Sequence, residues 1–189
     1  MTDMNTNYYR LVDVDYEPLD TEIDTDIASL PPRMKRTVEL INPLNVMLPV
    51  WVNNKITLSR ACTHLIESGL EFTYDDLPYV WEYLWEVYRK NFFREKLSRF
   101  SSIFLFDDEK NLMDFKNSHH PFEMLIPCKV ELLETRRLES YDMAWLDNVP
   151  TNCTFEEFAE YGKGYWSGAR TENPITEVLF SGVYKLSEL

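Results

Sequence analysis

Cysteine is scarce in this chain, and scattered. Cys62, Cys128 and Cys153 are the three present; no CxxC or Cys/His cluster joins them, so no structural zinc site is expected. The opening residues Met1-Thr2-Asp3-Met4-Asn5 carry no basic start followed by an apolar run. With an odd number of thiols, that points to a reducing compartment and a cytoplasmic protein. No apolar stretch approaches the roughly 20 residues that span a bilayer, so no membrane partner is expected. Glycine is rare as well. The five glycines form no GxGxxG, P-loop or GxSxG, which removes the Gly-rich phosphate cradle and the nucleophile elbow. The three histidines are His64, beside apolar positions of a helical pattern, and His119-His120 in a loop before Pro121. Nothing in their spacing supports a metal site or a Ser-His-Asp arrangement. Positive charge is also short, with 19 Lys and Arg against 32 Asp and Glu and a net charge of −13. That argues against a passive coat on nucleic acid. It leaves room for a local basic pocket that takes a small phosphorylated ligand.

Apolar residues make up 44% of the chain and aromatics 14%, enough to build a core, and 189 residues suit one domain. Tyr8 to Val14 reads as a first strand with Arg10 near its middle. Residues 13–32 form an acidic, turn-rich tract that reads as an exposed loop or arm. Leu44 to Val52 is a strand candidate demoted to an edge by Pro49. Thr57 to Ser68 reads as a helix stopped by Gly69. A second helix follows the Asp75-Asp76 caps, with Leu77, Trp81, Leu84, Trp85, Tyr88 and Phe92 at helical spacing as an aromatic core stripe. Phe100 to Phe106 is a strand, Asp108 caps a helix, and Glu123 to Glu134 is a strand bent at Pro127. Thr154-Phe155-Glu156-Glu157 is a capping box whose helix is expected to stop near Gly162 and Gly164. A last strand starts at Glu177. Helices before residue 98 and strands after it predict an α+β fold, with a helical N-terminal half packed on a small split antiparallel sheet.

Three separated elements could carry chemistry. Tyr9-Arg10 lies on the first strand. Ser98-Arg99-Phe100-Ser101-Ser102-Ile103-Phe104 leads into a middle strand followed by a helix. Glu177 heads the last strand, after the aromatic turn Tyr165-Trp166-Ser167-Gly168 and Asn173-Pro174. Together these resemble the Arg–Ser–Glu arrangement of ADP-ribosyltransferases. With Asp142-Met143-Ala144-Trp145-Leu146, they look like a related family of bacterial and phage proteins of unassigned activity. The resemblance spans roughly residues 77–186. Two departures stand out: only Ser101-Ser102 represents a Ser-Thr-Ser, and Ile175 replaces the first Glu of the Glu-x-Glu pair of arginine-modifying members.

The resemblance implies NAD as the substrate, no metal, and an acceptor that is protein, nucleic acid or small molecule. It also implies roles. Glu177 would hold the ribose while the nicotinamide–ribose bond breaks and positive charge builds on the sugar. Arg10 or Arg99 would bind the diphosphate through a bidentate fork. Ser101 and Ser102 would brace the site, and Tyr165 or Trp166 would stack on nicotinamide or adenine. Arg136 and Arg137 could form a local basic patch that guides a strand of nucleic acid. Each residue also has a purely architectural reading: Arg99 pairing with an acidic neighbour on an exposed turn, Trp145 plugging the core, Tyr165-Trp166 covering a sheet edge, Glu177 as a surface charge. A second hypothesis is a non-catalytic acidic binding protein, a phage or bacterial antagonist of a host factor, acting through the tract from Asp13 to Asp26. A third is a retained pocket that sequesters a nucleotide without turnover.

Overall fold

Residues 126–142 (β4) and 176–188 (β5) form a long antiparallel pair that organises one of two compact units. The computed structural model describes residues 6–26, 55–67, 77–118, 124–150 and 152–189. The expected strand at 44–52, the caps Asp75-Asp76, the Gly69 stop, His119-His120 and the end of the acidic tract lie outside the described residues.

The sheet unit takes its described residues from the spans Met1–Ser29, Leu97–Met143 and Asn173–Leu189. Its first strand, Tyr8–Val12 (β1), pairs with β4 in the register Arg10 opposite Cys128. The free edge of β5 takes two short strands in series. Ile103–Leu105 (β3) pairs near its start, and Glu22–Asp24 (β2) pairs further along. All pairings are antiparallel. Just past β3, Phe106 exchanges two backbone hydrogen bonds with Tyr9 of β1, at 2.9 and 2.8 Å. The sheet therefore curls until it closes on itself. Two register shifts in β4, between Leu132 and Glu134 and between Thr135 and Arg137, supply the extra twist that bulges give. Gly182 lies opposite Thr135 at φ 155°, where a Cβ would stand 1.9 Å from the Glu134 carbonyl oxygen. Only glycine fits that approach.

Val12, Leu105, Cys128, Val130, Val178, Phe180, Tyr184 and Leu186 fill the inner face. Strand alternation puts Glu177 and Leu179 on the opposite face, together with their register partners Tyr141, Glu139 and Phe104. The helix Glu109–Ser118 (α3) follows β3; Asp108 Oδ1 accepts the Asn111 amide at 3.0 Å, the expected cap.

The helical unit draws on the spans Leu30–Lys96 and Ala144–Glu172. Its described helices are Leu58–Glu67 (α1), Leu77–Phe92 (α2), Ala144–Asp147 (α4) and Phe155–Ser167 (α5). Leu84 and Trp85 of the expected stripe are buried, but Phe92 is 67% exposed at the end of α2. The capping box at Thr154 and Glu157 is present in full. The expected end of α5 is not. The helix runs through Gly162 and Gly164 to Ser167, and Gly168 in the left-handed region (φ 76°) terminates it. The two inner glycines serve packing. A Cβ on Gly162 would lie 2.8 Å from the Tyr88 ring, and one on Gly164 would lie 2.6 Å from Trp145. They admit aromatic rings against the helix backbone rather than stopping it.

The fold is α+β, with a five-stranded antiparallel sheet in one unit and, among the described residues, mainly helices in the other. Among the described residues, no helix is long and apolar enough to cross a membrane.

Candidate functional site

Glu177, second residue of β5, is fixed in place by its pairing opposite Tyr141. Its carboxylate receives a hydrogen bond from Arg99 Nη1 at 2.6 Å, and the two side chains are 7% and 5% exposed. The Arg99 guanidinium carbon also stands 4.5 Å from the centre of the Phe104 ring, a cation–π placement. Arg99 does pair with an acidic residue, as its architectural reading holds, but the pair is buried and the partner is the other candidate site residue.

The sequence around Arg99 explains how it is held. Residues 99–102 form a turn and a bend rather than strand. Ser102 Oγ donates to the Ser98 carbonyl at 2.7 Å, the Ser101 amide donates to the same carbonyl at 3.2 Å, and the Phe100 amide donates to Ser98 Oγ at 3.2 Å. Short hydroxyl side chains compete for backbone groups in this way and stabilise turns. Ser102 is thus engaged within the turn, while Ser101 is exposed.

Glu139 and Tyr141 of β4 complete this face, and neither was expected from the sequence. Glu139 accepts the Leu97 amide at 3.0 Å, and also the Tyr141 hydroxyl and the Arg137 guanidinium. Burial pushes its carboxyl up, but these three partners outweigh that and hold it below the usual range. Glu139 therefore anchors the start of the turn that carries Arg99. At the strand end, Asp142 is wholly buried and accepts the Ile175 amide at 2.9 Å. The Met143 amide donates to the Ile175 carbonyl at 2.9 Å. Those contacts set the entry of β5 and with it the position of Glu177.

Arg10 belongs to a second cluster. Its Nε and Nη2 grip Glu17 at 3.0 and 2.8 Å, and Nη1 donates to the Phe104 carbonyl at 3.1 Å. Glu17 also accepts the Tyr184 hydroxyl at 2.7 Å. Burial pushes the Glu17 carboxyl up, yet the Arg10 charge and these hydrogen bonds hold it below its ordinary value. Burial, then the Glu17 charge, pushes the Tyr184 phenol well up. Phe104 thus meets both candidate arginines, Arg10 at its backbone and Arg99 at its ring.

The remaining candidates stand elsewhere. Tyr165 and Trp166 are buried in the helical unit. Tyr165 stacks edge-on against Trp85 and Trp166, and Trp166 Nε1 donates to the Trp85 carbonyl at 3.1 Å. Trp145 packs edge-on against Tyr161 and donates to the Ala169 carbonyl at 2.8 Å. Arg136 is held by Asp24, Asp26 and Glu134, and Arg137 by Glu139. The Arg136 hydrogen bonds hold the Asp24 carboxyl at about 2. Among the described residues, no group of three or more His, Cys, Asp or Glu is placed to hold a metal ion.

Fold and site together define an α+β protein whose antiparallel sheet presents a buried Arg–Glu pair on one face. The chain belongs to the family DUF2441, described as a protein of unknown function, whose profile matches residues 49–188. The matched span contains Arg99, Glu139, Tyr141 and Glu177, whereas Arg10 and Glu17 precede it. No curated protein matches the chain.

Proposed function

We propose that this chain is an NAD-binding, ADP-ribosyltransferase-like protein of the cytoplasm that transfers ADP-ribose to an acceptor or hydrolyses NAD. The observation that carries the reading is Glu177: a buried carboxylate at the head of a late strand, joined at 2.6 Å to an arginine on a serine turn. The chemistry needs that combination. When the nicotinamide–ribose bond breaks, its electron pair leaves with nicotinamide and the sugar becomes cationic. A carboxylate in a partly dry site stabilises that charge far better than water does. Arg99 offers the diphosphate a planar fork. An acceptor nucleophile, or water, then bonds to the anomeric carbon and passes its proton to solvent water. Tyr165 and Trp166 are given no ligand contact here, since their rings pack on each other and on Trp85.

One observation favours a second reading, a non-catalytic binding protein: both candidate arginines already grip carboxylates, Arg10 on Glu17 and Arg99 on Glu177. Nicotinamide release from NAD, followed for wild type and Glu177→Gln, separates the two. Transferase chemistry predicts release by the wild type and a fall of at least about a hundredfold in the variant. No release, together with no NAD binding by calorimetry, would reject the enzyme and leave the binding protein.

A further inference from the structure

Phe92 is mostly exposed at the end of α2. A lone apolar side chain on a surface is ordinary; the company this one keeps is not. Residues 89–96 (RKNFFREK) hold four of the chain's 19 Lys and Arg and one of its 32 acids, in a molecule of net charge −13. The basic pair Arg136 and Arg137 is neutralised by Asp24, Asp26, Glu134 and Glu139. Lys90 and Arg94 are not. Lys90 Nζ stands 4.0 Å from Glu86, a carboxylate already gripped by Arg89 at 2.7 and 2.9 Å. Among the described residues Arg94 meets no carboxylate, and its Nε donates to the Lys90 carbonyl at 2.7 Å.

The segment is held in shape from within the helical unit. Arg89, buried beside Glu86, sends Nη1 to the Arg94 and Lys96 carbonyls at 3.2 and 2.8 Å. The Phe93 amide donates to the Arg89 carbonyl at 2.7 Å, and Asn91 Nδ2 to the Val87 carbonyl at 2.7 Å. The Val87, Arg89 and Lys90 carbonyls therefore all have donors, which blunts the negative end of the helix. The Phe92 ring leans on Tyr88, with 4.7 Å between centroids, so it is braced while staying open to solvent.

We propose that the end of α2 is a docking point for single-stranded nucleic acid: a base stacks on Phe92 while Lys90 and Arg94 take neighbouring phosphates. The three residues fall within five positions at a helix end, on the order of 10 Å across. Ring and charge together select the partner. An acidic peptide would answer the cations and leave the ring unused. A bilayer surface would need a broader apolar face to enter it. A duplex shuts its bases inside the stack, whereas a single strand offers both an anionic backbone and open π-faces. The acidic remainder of the surface repels the strand elsewhere, so the contact is local. The inference stands apart from the NAD reading.

Fluorescence anisotropy of the full chain tests it, with labelled oligothymidylate and oligouridylate of about a dozen nucleotides. Wild type should bind one or both within the ~10⁻⁴ to 10⁻⁶ M range of non-specific contacts. Phe92→Leu, apolar but without a π-face, should weaken binding at least about fivefold, and Phe92→Trp should not. An abasic strand of the same length should bind wild type as weakly as the oligonucleotides bind Phe92→Leu. Lys90→Gln with Arg94→Gln should flatten the slope of log K against log salt by about 1.4, at ~0.7 per phosphate on a single strand. All three side chains are exposed, and circular dichroism checks that the variants fold. Should one fail, the abasic strand against wild type still separates stacking from charge. No binding by wild type rejects the surface. Equal binding by Phe92→Leu, or of the abasic strand by wild type, rejects stacking and the proposal with it. Polyglutamate of equal charge binding as tightly would make the partner an acidic protein, and tighter binding to phosphatidylserine vesicles would make it a membrane; either overturns the nucleic acid. Nicotinamide release is not read in any of these arms, so the NAD reading stands or falls separately.

Discussion

Arg10 illustrates how a charge is kept beneath a curled sheet. Its side chain is only 16% exposed, and its donors go to Glu17 and the Phe104 carbonyl, while Tyr184 donates to the same glutamate. Removing one member leaves the other charged and unpaired. Arg10→Met should therefore cost about 3–5 kcal/mol in urea denaturation, and Arg10→Met with Glu17→Leu much less, because the pair is lost together. The same cluster sets a pH dependence. Glu17 has its folded pKa below the ordinary 4.5, so its contribution is complete above the unfolded value and fades as pH falls through the folded one. Wild-type stability should fall more steeply below about pH 4.5 than that of the double variant, as acid denaturation curves would show. Arg10 was legible as a candidate because the Arg–Ser–Glu resemblance calls for an arginine on the first strand; Glu17 was not, because it reads as one more acid in a solvated tract. The Arg99–Glu177 encounter, by contrast, joins residues 78 apart that the Arg–Ser–Glu resemblance had already singled out.

Elements were most legible where local chemistry decides them. The Thr154–Glu157 capping box and the Asp108 cap are short-range hydrogen-bond patterns, and both are where the residue types require. Thr154→Ala should lower thermal stability by about 1 kcal/mol. Glycine was the misleading signal, because its two uses look alike in a sequence. Gly162 and Gly164 suggest a helix stop, but tertiary contact with Tyr88 and Trp145 explains them instead. The usual gain of about 1 kcal/mol from Gly→Ala within a helix should therefore reverse sign at both positions. Gly182→Ala should be worse, at about 3 kcal/mol or more, because the obstacle is a backbone carbonyl that cannot turn aside. Denaturation midpoints for the three variants test the ranking. The second half of β4 escaped notice for another reason. From Thr135 to Tyr141 the bulged strand carries Arg136, Arg137 and Glu139, so its period-2 alternation is broken. Glu139 and Tyr141 were invisible as site residues once their strand was cut short at Glu134.

At the scale of the molecule, the α+β class rested on helices expected before residue 98 and strands after it, but β1 and β2 precede that residue and α3, α4 and α5 follow it, so the class was legible and the order was not. β2 comes from an acidic stretch, whereas β1 is an apolar segment interrupted by Arg10, and the partners of both lie far along the chain. The net charge of −13 predicts self-repulsion, so the melting temperature should rise as salt goes from about 10 to 150 mM, where charges beyond about 8 Å are screened. The placement of β5 has a consequence for biosynthesis. It is the common partner of β2, β3 and β4, and Thr25 meets Ser181 across 156 residues. A ribosome delivers β5 after the other four strands, so β2 has no strand to pair with until translation has passed residue 185. β1 can already pair with β4 in that interval, but the acidic β2 segment stays unpaired, and its like charges disfavour association with other chains meanwhile.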